Sequence, residues 1–150
     1  MAEDAESALD YLSSTRHLPV RTILPYGTGL GAALATSLAA AHSELPAVVV
    51  DNPVPDPATA AEAAHPSRLV PVRLLFGHRF DIAGPIRKLS TPKLLIAGGP
   101  SSRKGEQSSL QALFRDAASP KFAISLGSSN QPRDYEAALR RFLDQYVATH

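Results

Sequence analysis

Cysteine is absent from the 150 residues of this chain. Disulfide bridges, thiolate zinc sites and cysteine nucleophiles are therefore excluded. An excess of one charge is also absent, since the formal net charge is +1 at pH 7. The basic residues occur as isolated pairs, such as Arg140-Arg141, and not as a concentrated patch. We therefore expect neither nucleic acid nor an anionic membrane surface as a partner.

Long apolar runs are missing as well, and no segment is long enough to cross a bilayer as a helix. Residues 1–6 are acidic and have no apolar core, which does not fit a secretory signal peptide. The expected location is the cytoplasm, although a leader lost from a longer chain would change that expectation. No histidine has the spacing to an acid that a metal motif such as H-E-x-x-H requires. The sequence therefore predicts no metal and no cofactor.

Apolar runs of strand length alternate with segments of helical periodicity along the chain. This alternation predicts an α/β fold in which helices flank both faces of a parallel sheet of about four strands. The length and a charged fraction of 19% fit a single soluble domain spanning residues 1–150. The predicted strands are Val20–Tyr26, Ala47–Val50, Lys93–Ala97 and Lys121–Leu126, and the main predicted helices are Ala5–Ser14, Gly29–Ala41, Leu110–Ala118 and Tyr135–Val147.

Prolines interrupt the pattern in one region. Residues 53–80 contain five prolines around an alanine-rich stretch, and this density blocks a long regular element. We expect a cap-like excursion there with one short helix. Asp81 follows this region, and its expected role is to cap a helix that runs toward Lys88.

A glycine-rich loop, Gly27-Thr28-Gly29-Leu30-Gly31, lies between the first predicted strand and the helix that follows it. It matches the frame of a nucleophile elbow, G-x-S-x-G, with Gly29 in place of the nucleophile. It also matches a dinucleotide fingerprint, G-x-G-x-x-G/A, through Gly27, Gly29 and Ala32, with Asp51 placed to bind a ribose. A third interpretation is structural: the glycines only allow close packing of helix against strand.

The chain resembles the α/β-hydrolase superfamily, in particular its serine-aminopeptidase-like and acyl-hydrolase-like branch, over nearly its whole length. PYGTGLGAALATSLAAAHSELPAVVVDNP resembles the elbow, its helix and the next strand. LLFGHRFDIAGPIRKLSTPKLLIAGG resembles the exit from a cap into a later strand. LQALFRDAASPKFAISLG and YEAALRRFLDQYV resemble the last strand and the closing helix. The resemblance implies the C-terminal part of that fold.

The catalytic triad of that family is not preserved when its positions are carried over. The nucleophile position is Gly29. The acid would follow Gly98-Gly99, where Ser101 stands and the first carboxylate is Glu106. The histidine would follow Gly127, where Ser129 stands and the loop contains no histidine. Because the triad acts as a unit, loss of the nucleophile alone should remove most of the catalysis.

We therefore expect an α/β-hydrolase-like protein without hydrolytic activity, acting as a binding or interaction module. It would hold a small apolar ligand near Gly29, Asn52, Pro53 and residues 74–76. A further expectation is pairing along residues 20–26 with a second copy or with a separate chain, because that strand would be an open edge. Two alternatives remain: a working hydrolase with Thr28 or Ser129 as nucleophile, and a dinucleotide-binding protein using Gly27, Gly29, Ala32 and Asp51.

Overall fold

The computed structural model of the chain describes residues 2–54, 81–98, 106–126 and 132–147. Four strands in these ranges form one parallel sheet in the order β1-β2-β3-β4. The predicted α/β class and its parallel sheet are confirmed. The strands are β1 Tyr26–Thr28, β2 Val48–Asp51, β3 Lys93–Gly98 and β4 Lys121–Leu126.

Five α-helices flank this sheet in the described residues. The first four pack against one face and the fifth against the other, so both faces are covered as the sequence predicted. The predicted excursion at 53–80 lies almost entirely outside the described residues. The helices are α1 Ala2–Asp10, α2 Gly31–Ala41, α3 Ala83–Lys88, α4 Glu106–Asp116 and α5 Pro132–Tyr146.

The two central strands are buried because helices cover both of their faces. Side chains alternate along a strand, so Val48 and Val50 face α1–α4 while Val49 faces α5. All three valines are fully buried. A strand covered on both sides has a continuous apolar sequence, as in the VVV of β2, and not an alternating one.

The first strand differs from its prediction. Residues 20–26 were expected to be extended, but Val20–Thr22 form a 3-10 turn and β1 covers only Tyr26–Thr28. Pro19 and Pro25 fix the backbone on both sides of the turn and limit ladder formation. The apolar residues still reach the core, because Ile23 packs on the α1–α4 side and Leu24 on the α5 side.

Helix boundaries show two further differences. Tyr11–Thr15 form a π-helical turn after α1, so the α-helix is shorter than the expected Ala5–Ser14 at its C-terminal end. α5 begins at Pro132, before the expected Tyr135, and Asp134 lies in its first turn. Proline is favoured at this position because the first N–H of a helix has no partner within the helix. The predicted role of Asp81 is confirmed, because its Oδ1 accepts hydrogen bonds from the amides of Ala83 and Gly84 at 2.9 and 3.3 Å.

A buried lysine joins the start of β3 to two neighbouring helix ends. Lys93 is fully buried, and its ammonium donates to the carbonyls of Leu89, Ala118 and Pro120 at 2.8, 2.8 and 3.2 Å. All three ammonium hydrogens thus have acceptors. Burial, and then the nearby charge of Lys121, lower the pKa of Lys93 to about 8.

Candidate functional site

The turn between β1 and α2 has the geometry that an elbow requires. β1 ends at Thr28, Gly29 has a φ of +58°, and α2 begins at Gly31. The amide of Gly29 donates to the carbonyl of Asp51 on β2 at 3.0 Å, which fixes the turn against the neighbouring strand. The backbone passes from strand to helix through a single residue in the left-handed region, which glycine adopts most easily.

Gly27 and Gly29, two of the three glycines of this loop, have different surroundings. A Cβ on Gly27 would lie 2.4 Å from the carbonyl oxygen of Gly31 and 2.7 Å from the Cα of Ala32, so only glycine fits there. A Cβ on Gly29 would have no atom within 4 Å. The turn therefore brings strand and helix together at Gly27 and leaves open space above Gly29, where a nucleophile's side chain would stand.

The next two strands end beside the turn and are tied to each other by one side chain. Asn52, with a φ of +43°, follows β2 directly. Its Oδ1 accepts from the amide of Gly98 at 3.0 Å, and its Nδ2 donates to the Gly98 carbonyl at 3.2 Å. Asparagine tolerates this backbone conformation better than most residues. Both ends of the amide are thus engaged at the carboxyl edge of the sheet.

Tyr26, Asp51 and Tyr135 form a hydrogen-bonded chain on the α5 side of the sheet. The hydroxyl of Tyr26 donates to Asp51 Oδ2. Since its single proton is used there, the Tyr135 hydroxyl, 2.7 Å away, must be the donor to Tyr26. The Tyr26 ring is exposed, but burial of the hydroxyl and its bonds to Asp51 and Tyr135 raise the pKa of Tyr26. An ionised Tyr26 would lose the proton that satisfies Asp51.

The structure brings the dinucleotide set together only in part. Gly27, Gly29 and Ala32 lie in one turn, and Asp51 pairs with Thr28 in the sheet register. Both carboxylate oxygens of Asp51 already have partners, however, since Oδ1 accepts from Asn52 at 3.1 Å and Oδ2 accepts from Tyr26. A ribose would have to compete with these bonds.

The other predicted site residues are separated or lie outside the described ranges. Ser101, Ser129 and residues 74–76 are among the latter, so the two replaced triad positions and the apolar pocket stay predictions. Thr28 is exposed directly before Gly29. Among the described histidines, His42 lies at the far end of α2 from the elbow, about 16 Å away along an 11-residue helix. The acid that pairs with Thr28 in the sheet register is Asp51, and both of its carboxylate oxygens already accept hydrogen bonds from other side chains.

Two features of this edge were not found by sequence reasoning. The tyrosine chain joins residues from β1, β2 and α5, and only the register of β1 on β2 and the packing of α5 bring them together. The role of Asn52 depends on its backbone conformation and on the end of β3. The one sequence signal was the Asp51-Asn52-Pro53 stop after β2, because these residue types commonly end strands and form turns.

The described part of the chain contains no group of three or more histidine, aspartate or glutamate side chains placed to hold a metal ion. In the same residues, no helix is both long and apolar enough to cross a membrane.

Comparison with known proteins places the fold. No protein-family model and no curated protein matches the chain. Solved structures do match: an acetyl xylan esterase from Paenibacillus sp. R4 aligns over 97% of this chain with a TM-score of 0.70 and 20% identity. The chain has part of an α/β-hydrolase fold. The esterase domain of a Rhodothermus marinus protein gives a TM-score of 0.68 at 24% identity over 98% of the chain. An α/β hydrolase from Vibrio vulnificus gives 0.65 at 17% identity over 96%.

The α/β-hydrolase folds to which it is similar are longer than this chain. The aligned region spans 52% of the Paenibacillus esterase, 69% of the Rhodothermus domain and 54% of the Vibrio hydrolase. About half of the first structure therefore lies outside the alignment. The likeness is one of fold, and activity has to be argued from the residues of this chain.

Proposed function

We propose that this chain is a non-catalytic α/β-hydrolase-fold protein, a binding or interaction module that uses the carboxyl edge of its sheet. One observation carries the proposal. The turn has the left-handed backbone and the open space of an elbow, yet the residue in the nucleophile's place is Gly29, which has no side chain to attack a carbonyl.

The sequence at the two other triad positions supports the same proposal. Residues 99–105 contain no carboxylate and residues 127–131 contain no histidine. A nucleophile without a base would be weak, and a base without a nucleophile would have no role. Three losses at separate places in the chain therefore fit a protein whose fold serves binding. The proposed ligand is small and apolar and lies near Gly29 and Pro53, and the proposed location is the cytoplasm.

Labelling with a fluorophosphonate probe, read by intact mass, tests the proposal beside hydrolysis of a short-chain p-nitrophenyl ester. We expect no adduct and no turnover from protein whose circular dichroism and cooperative melting show that it is folded. An active esterase in the same assay is the positive control. An adduct with turnover would overturn the proposal.

Two variants identify the residue if an adduct does form. Thr28→Ala and Ser129→Ala remove the two hydroxyls offered as replacement nucleophiles. If Thr28→Ala abolishes both adduct and turnover while Ser129→Ala does not, the chain is a hydrolase with threonine as nucleophile. The reverse pattern would assign Ser129. Each variant removes a single hydroxyl group, so each serves as the matched control for the other.

A further inference from the structure

A cleft lies at the amino end of the sheet, at the opposite edge from the elbow. It consists of two cavities of about 440 and 460 Å³, which adjoin because Ser43, Ser90 and Thr91 line both of them. Residues 42–47 lead into β2 and residues 89–92 lead into β3, so the cleft lies where these two strands begin. Cavities of this size commonly hold small ligands.

Thr91 carries a polar group that the protein itself does not satisfy. The residue is only 6% exposed, and its hydroxyl makes no hydrogen bond within the part of the chain that the structure describes. Most buried hydroxyls have a partner, and one without a partner loses the bond that water gives it in the unfolded chain. Since Thr91 lines both cavities, a molecule in the cleft would supply that partner.

The rest of the lining offers both acceptors and donors of hydrogen bonds. Ala39 and Ala40 are among the last four residues of α2, whose carbonyls have no partner within the helix, and no described backbone amide donates to these two. Glu44 adds a carboxylate. Lys88 lines one cavity and Arg21 the other, and neither forms an ion pair with a described residue.

This mixture of groups decides which class of ligand fits. An anion would be repelled by Glu44 and by the negative end of the α2 dipole, while a cation would be repelled by Lys88 and Arg21. A neutral hydroxyl group avoids both penalties, because it donates to carbonyls and also accepts from cations and from other hydroxyls. Apolar side chains in the lining provide contacts for C–H groups: Leu45, Pro46, Pro85, Leu89 and Pro92.

We propose that this cleft binds a small neutral molecule with several hydroxyl groups, a sugar or a polyol. One ligand hydroxyl pairs with Thr91, and others donate to the carbonyls of Ala39 and Ala40 and accept from Lys88 and Arg21. The site is separate from the elbow, since parallel strands begin at one edge of the sheet and end at the other. It therefore does not depend on whether the elbow is catalytic.

Amide NMR spectra of the full chain, recorded during titration into the millimolar range, test the proposal. D-glucose and D-galactose are the sugar probes, and sorbitol is the open-chain polyol. We expect at least one of them to shift the amide resonances of Ser43, Ser90 and Thr91 in a saturable way while that of Gly29 stays unchanged. A response to the sugars alone would assign the site to a ring, and a response to sorbitol alone would assign it to an open chain.

A matched pair of variants tests the role of the buried hydroxyl. Thr91→Val removes it at nearly constant volume and should weaken binding at least about threefold, through the loss of one hydrogen bond. Thr36→Val makes the same change at a second buried threonine, whose hydroxyl donates to the carbonyl of Ala32 at 2.7 Å and which does not line the cleft. It should leave binding unchanged. Ser43→Ala, at an exposed position, should also weaken binding and serves if Thr91→Val does not fold.

Three outcomes would overturn the proposal. The first is the absence of a saturable shift at the cleft with all three neutral probes. The second is binding that neither Thr91→Val nor Ser43→Ala weakens. The third is a stronger response of the same amides to inorganic phosphate or to ammonium chloride, which would make the cleft a site for a charged ligand. None of these outcomes bears on the esterase assay, so the two proposals fail separately.

Discussion

At the scale of single residues, two glycines two positions apart have opposite reasons to be glycine. Gly27 is required by space, since α2 crosses directly over it. Gly29 is favoured by backbone conformation, since its φ is +58° while the space around it is open. This difference matters for function, because the residue that lacks a nucleophile's side chain is the one with room for it.

Alanine substitutions separate the two reasons. Gly29→Ala should lower the free energy of unfolding by only about 1–2 kcal/mol, the cost of a left-handed backbone for a residue with a Cβ. Gly27→Ala should cost about 3 kcal/mol or more, because helix and strand must move apart. Urea denaturation of both variants beside the unaltered chain measures the two costs. Equal costs would contradict the assignment of Gly27 to close packing.

At the scale of elements, charged side chains fasten helix ends to their neighbours. His42, which follows α2, contacts Glu6 of α1 through Nε2 at 2.6 Å. The hydrogen bond to Glu6 is the largest influence on the pKa of His42 and raises it above 6.5. Leu9 of α1 is buried in the same core cluster as residues of α2, so this ion pair lies at the edge of an apolar contact between α1 and α2.

The His42–Glu6 pair should make stability depend on pH. Because the folded pKa of His42 is raised, its contribution is fully present below pH 6.5 and is lost as pH rises through the folded pKa. Glu6→Gln should remove the largest part of that contribution, and Glu44, which lies 3.4 Å from Nδ1 of His42 and also raises its pKa, keeps the remainder. We expect the variant to have a lower melting temperature than the unaltered chain at pH 6 and nearly the same melting temperature at pH 9. The difference in the free energy of unfolding at pH 6 should be at most about 1 kcal/mol, since both side chains are partly exposed. The same difference at both pH values would mean that the pair does not titrate.

Lys93 should produce a slope of the opposite sign at higher pH. Its folded pKa of about 8 is below the usual 10.5, so the unfolded chain binds more protons between these values. Stability should therefore rise with pH across that window, by of order 1–3 kcal/mol. Chemical denaturation between pH 8 and pH 10 measures the rise, and Lys93→Met should flatten it. A flat profile in the unaltered chain would mean that the three carbonyls offset the burial of the charge.

At the scale of the whole molecule, the fold supports two different ligand chemistries at one edge. Nucleotides and ester substrates both bind at the carboxyl ends of parallel strands, so the sheet alone does not separate them. The residues do. Asp51, which a dinucleotide site would use for the ribose, already accepts hydrogen bonds from Tyr26 and Asn52.

Nicotinamide cofactors should therefore leave the melting temperature of the whole protein unchanged. A ligand that binds only the folded state raises stability by about 2.7 kcal/mol at one hundred times its dissociation constant, which is readily detected by thermal shift. We expect no shift with NAD(H) or NADP(H) at millimolar concentration. A shift that Asp51→Asn abolishes and Asp144→Asn, on the exposed side of α5, retains would instead establish the dinucleotide alternative.

The sequence by itself determined the class of fold and the places of most of its elements. The VVV of β2 and the LLIA of β3 are apolar without interruption because both faces of these strands are buried, and β4 has the predicted bounds. The spacing of the glycines in this loop was also visible in the sequence. Position 27 has to be glycine wherever helix and strand pack this closely, because a Cβ there would clash with the helix. These features depend on local pattern, which a sequence carries directly.

Only the tertiary structure decided where β1 begins and what surrounds the elbow. The apolar run at 20–26 is typical of a strand. The flanking prolines, and side chains that pack on both faces of the sheet, instead give a 3-10 turn at Val20–Thr22 and a short strand that begins at Tyr26. The tyrosine chain, the two bonds of Asn52 to Gly98 and the three carbonyls around Lys93 join residues 25 or more positions apart in most cases. Such contacts depend on register and on helix placement, which arise when the whole sheet is packed and which no single segment encodes.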